Sequence, residues 1–108
     1  MSYSNVSHRS AVSIDATTPV KLFDSNTSTR IGWRTIIPAA LTPGVGVLFY
    51  IQTAGATAPS KATIVAGPSL RAEAGMLVVD GARATLDIYA VLESGASIST
   101  IDAEELLQ

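Results

Sequence analysis

The stretch from 30 to 52 constrains this chain most. It reads RIGWRTII, then PAALTPG, then VGVLFYIQ. In the first run Ile31, Trp33, Thr35 and Ile37 share one side of an extended backbone, and Gly32, Arg34 and Ile36 share the other. In the last run Val47, Phe49 and Ile51 alternate with Leu48, Tyr50 and Gln52. A period of two carried by β-branched and aromatic residues predicts strands. Pro38, Pro43 and Gly44 separate the runs, because a proline gives a sheet no ladder donor. The single tryptophan lies in this strand–loop–strand unit. Trp33 and Phe49 are therefore expected in the core, joined by Leu86 and Ile88 from a later strand.

Other strands read around that unit. Residues 19–24 (PVKLFD) form a short strand, followed by a polar turn over Ser25–Thr29, whose side-chain oxygens suit local backbone bonds. KATIVA (61–66) alternates weakly and reads as an edge strand ended by Gly67-Pro68. LRAEA (70–74) links it to the strand GMLVVD (75–80), and Asp80-Gly81 signals a turn. ATLDIYAVLE (84–93) reads as a long strand with Leu86, Ile88, Ala90 and Leu92 inward. ASISTID (96–102) is expected to return beside it as a hairpin after Ser94-Gly95. Residues 1–18 are polar and read as an N-terminal arm with a short strand near Ala11–Asp15, and 103–108 as a tail for which Asp102 could supply a helix N-cap. No segment keeps helical periodicity for three turns. About seven or eight short strands at roughly ten-residue spacing predict an all-β fold. The expectation is a compact antiparallel β-sandwich over 19–102, jelly-roll-like or Ig-like, with an extended N-terminal arm.

The length of 108 residues suits one domain. Hydrophobic residues make up 47% and charged residues 15%, against about 25% charged in an ordinary soluble domain. The mean hydropathy of +0.36 fits a core rich in small residues, apolar surface buried against other chains, or both, and a homo-oligomer is expected. A net charge of −2 without a basic stripe argues against nucleic-acid binding. Cysteine is absent, which excludes disulfides and thiolate chemistry. The N-terminal region lacks the apolar run of about 7–15 residues that a secretory signal needs. No apolar run is long enough for a helical membrane span, so no membrane partner is expected.

Chemistry-bearing motifs are sparse. His8 is the only histidine and lies in the arm, without a second histidine or cysteine to share a metal or a rigid setting for a catalytic triad. Asp87 is mid-strand, where a cross-strand arginine such as Arg34 or Arg83 is the natural partner. The other carboxylates fall mostly at turns and strand ends. Gly44-Val45-Gly46 precedes a strand and so lacks the helix that a dinucleotide loop opens. Asn5-Val6-Ser7 and Asn26-Thr27-Ser28 match the glycosylation pattern, which has no context without a secretory signal. Trp33, Phe49, Tyr50 and Tyr89 could stack on a sugar, but core and contact roles are the commoner use of such rings. No acid, base and nucleophile converge in the pattern, so a non-enzyme without cofactor or metal is expected.

The order of motifs carries a resemblance. A polar arm, PVKLFD, NTSTR, IGWRTII, VLFYIQT, GMLVVDG, LDIYAVLES and SISTIDAEEL follow one another. Over about residues 17–106 this resembles the small β-sandwich virion proteins of tailed bacteriophages, found as head decoration (cement) or accessory subunits. The resemblance implies a structural role on a particle, made in the host cytoplasm. The expected partners are the major capsid protein and other copies of the chain. A carbohydrate- or receptor-binding module and a head–tail or tail accessory subunit stand as alternatives. Partner contacts are expected where apolar residues lack cover in the strand reading: Val12 and Ile14 in the arm, Tyr50 and Tyr89 on a sheet face, Leu106 and Leu107 in the tail.

Overall fold

The computed structural model describes residues 5–37, 44–95 and 99–108. Eight strands follow in chain order: β1 (Asn5–Ile14), β2 (Val20–Phe23), β3 (Arg30–Ile37), β4 (Val47–Gln52), β5 (Leu70–Ala72), β6 (Gly75–Asp80), β7 (Asp87–Leu92) and β8 (Ser99–Leu107). A helix α1 (Lys61–Ala66) stands between β4 and β5, and a single 3-10 turn (Ala82–Thr85) between β6 and β7. Sheet I has the order β1-β8-β3-β6, and sheet II the order β2-β7-β4-β5.

Four antiparallel pairs nest inside one another: β1 with β8, β2 with β7, β3 with β6, and β4 with β5. The chain is thus a two-stranded ribbon rolled up on itself. Pairing of β3 with β8 and of β4 with β7 closes each sheet. This strand order is the eight-stranded jelly roll of two Greek keys, so the expected antiparallel sandwich is present in its jelly-roll form.

Trp33 joins the two sheets. It is fully buried on β3, with its ring 5.3 Å from Phe49 of β4 and 6.3 Å from Phe23 of β2, both tilted. Such tilted pairs set ring edges against ring faces and add to the burial of large apolar area. The indole N–H has no hydrogen-bond partner among the described residues. Packing of the three rings must offset that lost bond, which costs about 1–3 kcal/mol. Ile14, Ile37 and Ile101 from sheet I, and Val47, Ile88 and Leu92 from sheet II, complete the same cluster.

Several expectations are corrected. The arm is largely strand, and the short strand expected near 11–15 extends back to Asn5: β1 runs antiparallel to β8 from Asn5 opposite Leu107 to Ile14 opposite Ser99, with a bulge between Arg9 and Val12. Its alternating Val12 and Ile14 turn into the core, where both are buried. The tail is the second half of β8, a central strand between β1 and β3. Asp102 is therefore a strand residue and caps no helix. β8 pairs with strands of sheet I and not with β7, so the closing segment crosses between sheets and makes no hairpin. KATIVA is a helix, and LRA of the linking segment is strand β5. The long strand begins only at Asp87, because Ala82–Thr85 coils, and Leu86 is half buried where full burial was expected. The proline loop from 38 to 43 and residues 96–98 lie outside the described residues.

Candidate interaction surface

The two sheets treat their outer faces differently. On sheet II, Leu48, Tyr89 and Val91 point outward, yet all are buried. Helix α1 covers them through Ile64, which is itself fully buried, and Tyr50 packs at the margin. The helix forms because Pro59-Ser60 opens it well: the Ser60 hydroxyl accepts the Thr63 N–H at 3.2 Å, an N-cap bond that satisfies an otherwise orphaned donor. Gly67-Pro68 ends it, with the Gly67 N–H bonded to the Thr63 carbonyl at 2.9 Å.

Among the described residues, sheet I has no such cover over β3 and β6. In register, Ile36 stands opposite Met76 and Arg34 opposite Val78. Ile36 is 44% exposed, Met76 62% and Val78 46%. One strand further in, Arg34 opposes Glu104 and Ile36 opposes Asp102. Arg34 donates through Nε (3.0 Å) and Nη2 (2.7 Å) to Glu104 Oε2. The face thus shows three large apolar side chains beside a half-buried ion pair. Toward the other end it closes over. At Gly32, a Cβ would meet the Val79 carbonyl oxygen at 2.9 Å and the Leu106 methyl at 3.3 Å. The space that a side chain would take at Gly32 is held first by the Asp80 carboxylate and then by Leu106, which is buried.

The six residues expected to contact partners are placed as follows. Val12 and Ile14 belong to the core, Leu106 is buried over Gly32, and Tyr89 is buried on the α1 side of sheet II. Tyr50 and Leu107 are half buried. Four of the six are therefore used inside the chain's own fold, because strand pairing of both ends and the short helix supply the cover that a strand-only reading left open. Among the described residues the exposed large apolar side chains are instead Val65 on α1 and, gathered on the outer face of sheet I, Ile36, Met76 and Val78. Their signal was present in the alternation, which sets Ile36 opposite in phase to Trp33 and gives GMLVVD apolar residues in both phases.

One end of the sandwich carries a polar network. Arg30 is fully buried in its side chain. It donates to the carbonyls of Ala84 (2.6 Å), Leu86 (2.6 Å) and Asp24 (2.9 Å), and reaches Glu105 at 3.4 Å. Burial pushes its pKa below the usual arginine value, while Glu105, Asp87 and Asp24 pull it back up. Asp87 is buried and accepts the Ser25 N–H (2.7 Å) and the Gly55 N–H (3.3 Å), with Lys21 Nζ at 3.8 Å. Neither Arg34 nor Arg83 is its partner, since Arg34 lies in the other sheet. These two charges pin three connections into one end. Beside them an open groove of about 540 Å³ is lined by residues 22–28 and Glu105. Asn26 Oδ1 accepts the Ser28 and Thr29 N–H groups there, which is the polar turn the sequence predicts.

Among the described residues no group of His, Asp and Glu gathers to hold a metal, and no helix is long and apolar enough to cross a membrane. No family model, no curated protein and no solved structure matches this chain.

Proposed function

We propose that the chain is a structural subunit of a virion, a decoration protein of a tailed-phage head that lies on the major capsid protein lattice and stabilises the shell. The observation that carries this reading is the uncovered face of sheet I, with Ile36, Met76 and Val78 in water beside the Arg34–Glu104 pair. A contiguous apolar patch rimmed by charge is costly to leave in water and suits burial against another protein. The jelly roll is shared by viral coat domains and lectins, so the fold alone does not choose between them. What supports the virion reading is apolar area at Ile36, Met76 and Val78, whereas Trp33, Phe49 and Tyr89 are buried and Tyr50 is half buried.

Co-sedimentation with expanded empty capsids tests the proposal. Wild-type protein should pellet with the shells at saturating occupancy, and Ile36→Asp should abolish pelleting while circular dichroism stays unchanged. Wild-type protein that stays in the supernatant, or an Ile36→Asp variant that decorates normally, would count against it. Binding to tails alone would favour a tail accessory subunit. A carbohydrate-binding module has one specific observation in its favour, the groove beside Asp24, Ser25, Asn26 and Glu105, whose oxygens could meet sugar hydroxyls. Specific signal on a glycan array would favour that second reading.

A further inference from the structure

Four strands form the edges of the two sheets: β1 and β6 in sheet I, β2 and β5 in sheet II. An edge strand presents backbone N–H and C=O groups to any strand that reaches it, and folds blunt such edges with charge, proline, bulges or shortness. Three of these edges are blunted. β1 contains Arg9 and bulges between Arg9 and Val12. β2 has four residues, follows Pro19, carries Lys21 and bulges between Lys21 and Phe23. β5 has three residues with Arg71 at its centre.

β6 carries none of these devices. Its six residues, GMLVVD, pair with β3 without a register shift, and its one charge is the last residue. Its inward Leu77 and Val79 are only half buried, although both pack on the core. Its outward Met76 and Val78 are exposed. Apolar side chains on both faces of this edge remain partly in water.

We infer that β6 pairs antiparallel with β6 of a second copy across a two-fold axis, joining two four-stranded sheets into one of eight. The residues of β6 suit this occupant, since 76–79 are apolar and the one charge stands at the strand's end. Gly75 (φ +130°) and Gly81 (φ +96°) bracket the extended stretch in a backbone region that other residues avoid. Residue 78 is the midpoint between them. With the axis at Val78, Val78 faces Val78, Leu77 faces Val79 and Met76 faces Asp80. The two Asp80 carboxylates then stand at opposite ends of the ribbon, and no like charges face each other. The patch is self-complementary, as a two-fold interface requires. Main-chain hydrogen bonds hold the pair, as in other strand additions, and Leu77 and Val79 of both copies close the half-open seam. This dimer goes beyond the virion reading and holds whatever the face of sheet I binds.

Light scattering on the chromatographed full chain should give twice the 11.2 kDa chain mass. A monomer mass up to near-millimolar concentration overturns the inference. Two variants fix the register. The chain has no cysteine, so Val78→Cys places one thiol at the axis. Opposed residues of an antiparallel pair have Cα atoms about 4.5–5.5 Å apart, within the roughly 4.4–6.8 Å that a disulfide spans. Mild oxidation should convert Val78→Cys to a covalent dimer, and leave Val65→Cys, exposed on α1, at collisional background. Val78→Lys sets like charges face to face and should weaken the dimer by about tenfold or more, with an unchanged far-ultraviolet spectrum. Equal cross-linking of both cysteine variants, or a Val78→Lys dimer of wild-type affinity, overturns β6 pairing.

Discussion

The outer faces of the two sheets meet the same difficulty and answer it differently. Both turn apolar side chains away from the core: Leu48, Tyr89 and Val91 on sheet II, Ile36, Met76 and Val78 on sheet I. On sheet II a six-residue helix is spent on cover, and its Ile64 is fully buried. On sheet I nothing within the described residues lies over the β3–β6 corner. A strand that is apolar in both phases is thus buried on both faces or exposed on one, and its own sequence does not say which. The neighbouring segment decides, and here that segment is α1.

The largest expected effect comes from the residue that serves both sheets. Trp33→Ala should cost about 3–5 kcal/mol, as aromatic truncations in cores do. It removes the ring that packs on both Phe23 and Phe49. Urea unfolding should show the loss as a lowered midpoint with one cooperative transition. Two separated transitions would mean that the sheets fold independently, and the comparison of their faces would lose its common frame.

A matched pair of isoleucines, one on each sheet, should respond differently. Ile64→Ala should cost about 2–4 kcal/mol, because it empties a fully buried site between α1 and sheet II. Ile36→Ala, at an exposed site of similar chemistry on sheet I, should stay within about 0.5 kcal/mol. Midpoints measured side by side decide it. Similar losses for the two variants would show that the face of sheet I is covered within the chain after all.

The strand alternation was legible where the pattern had period two and strong residues, as in 31–37 and 47–52. Both runs are strands, and Trp33 and Phe49 are buried as predicted. The helix was hidden by Ile64 and Val65, whose β-branching favours strands, while the capping signal of Ser60 rested on one side chain. The two ends misled for another reason. Whether NVSHR (5–9) and AEELL (103–107) join a sheet depends on a pairing between residues about a hundred positions apart, such as Asn5 with Leu107, and local pattern carries no record of it. Arg30 was equally silent: an arginine after a polar turn reads as solvated, yet three carbonyls from distant segments converge on it.

The smallest effect concerns how each sheet is tied by charge. Sheet I uses Arg34 and Glu104 across β3 and β8. Sheet II uses Arg71 of β5, whose Nε and Nη2 reach the two oxygens of Glu93 at 2.8 and 2.9 Å, just beyond β7. Arg71 also meets Glu73 at 2.9 Å and the Gly44 carbonyl at 3.0 Å. The hydrogen bonds from Arg71 hold the Glu93 carboxyl below its ordinary value of 4.5, against an opposing push from burial and with help from the Gly46 N–H. Glu93 therefore binds its proton less readily in the folded chain than in the unfolded one. Its contribution to stability is fully present above pH of about 4.5 and is lost as pH falls through the lower folded value. Asp15, lowered by the Thr18 and Thr17 N–H groups, adds an effect of the same sign below its ordinary 3.8. Both groups are exposed, so screening keeps the effects small. Glu93→Gln should lower the thermal midpoint slightly at neutral pH, and the wild-type and variant curves should converge as acid protonates Glu93. Curves that stay parallel down to the acid end would show that the Arg71 clamp contributes nothing through charge, and that the edge of sheet II is held by packing alone.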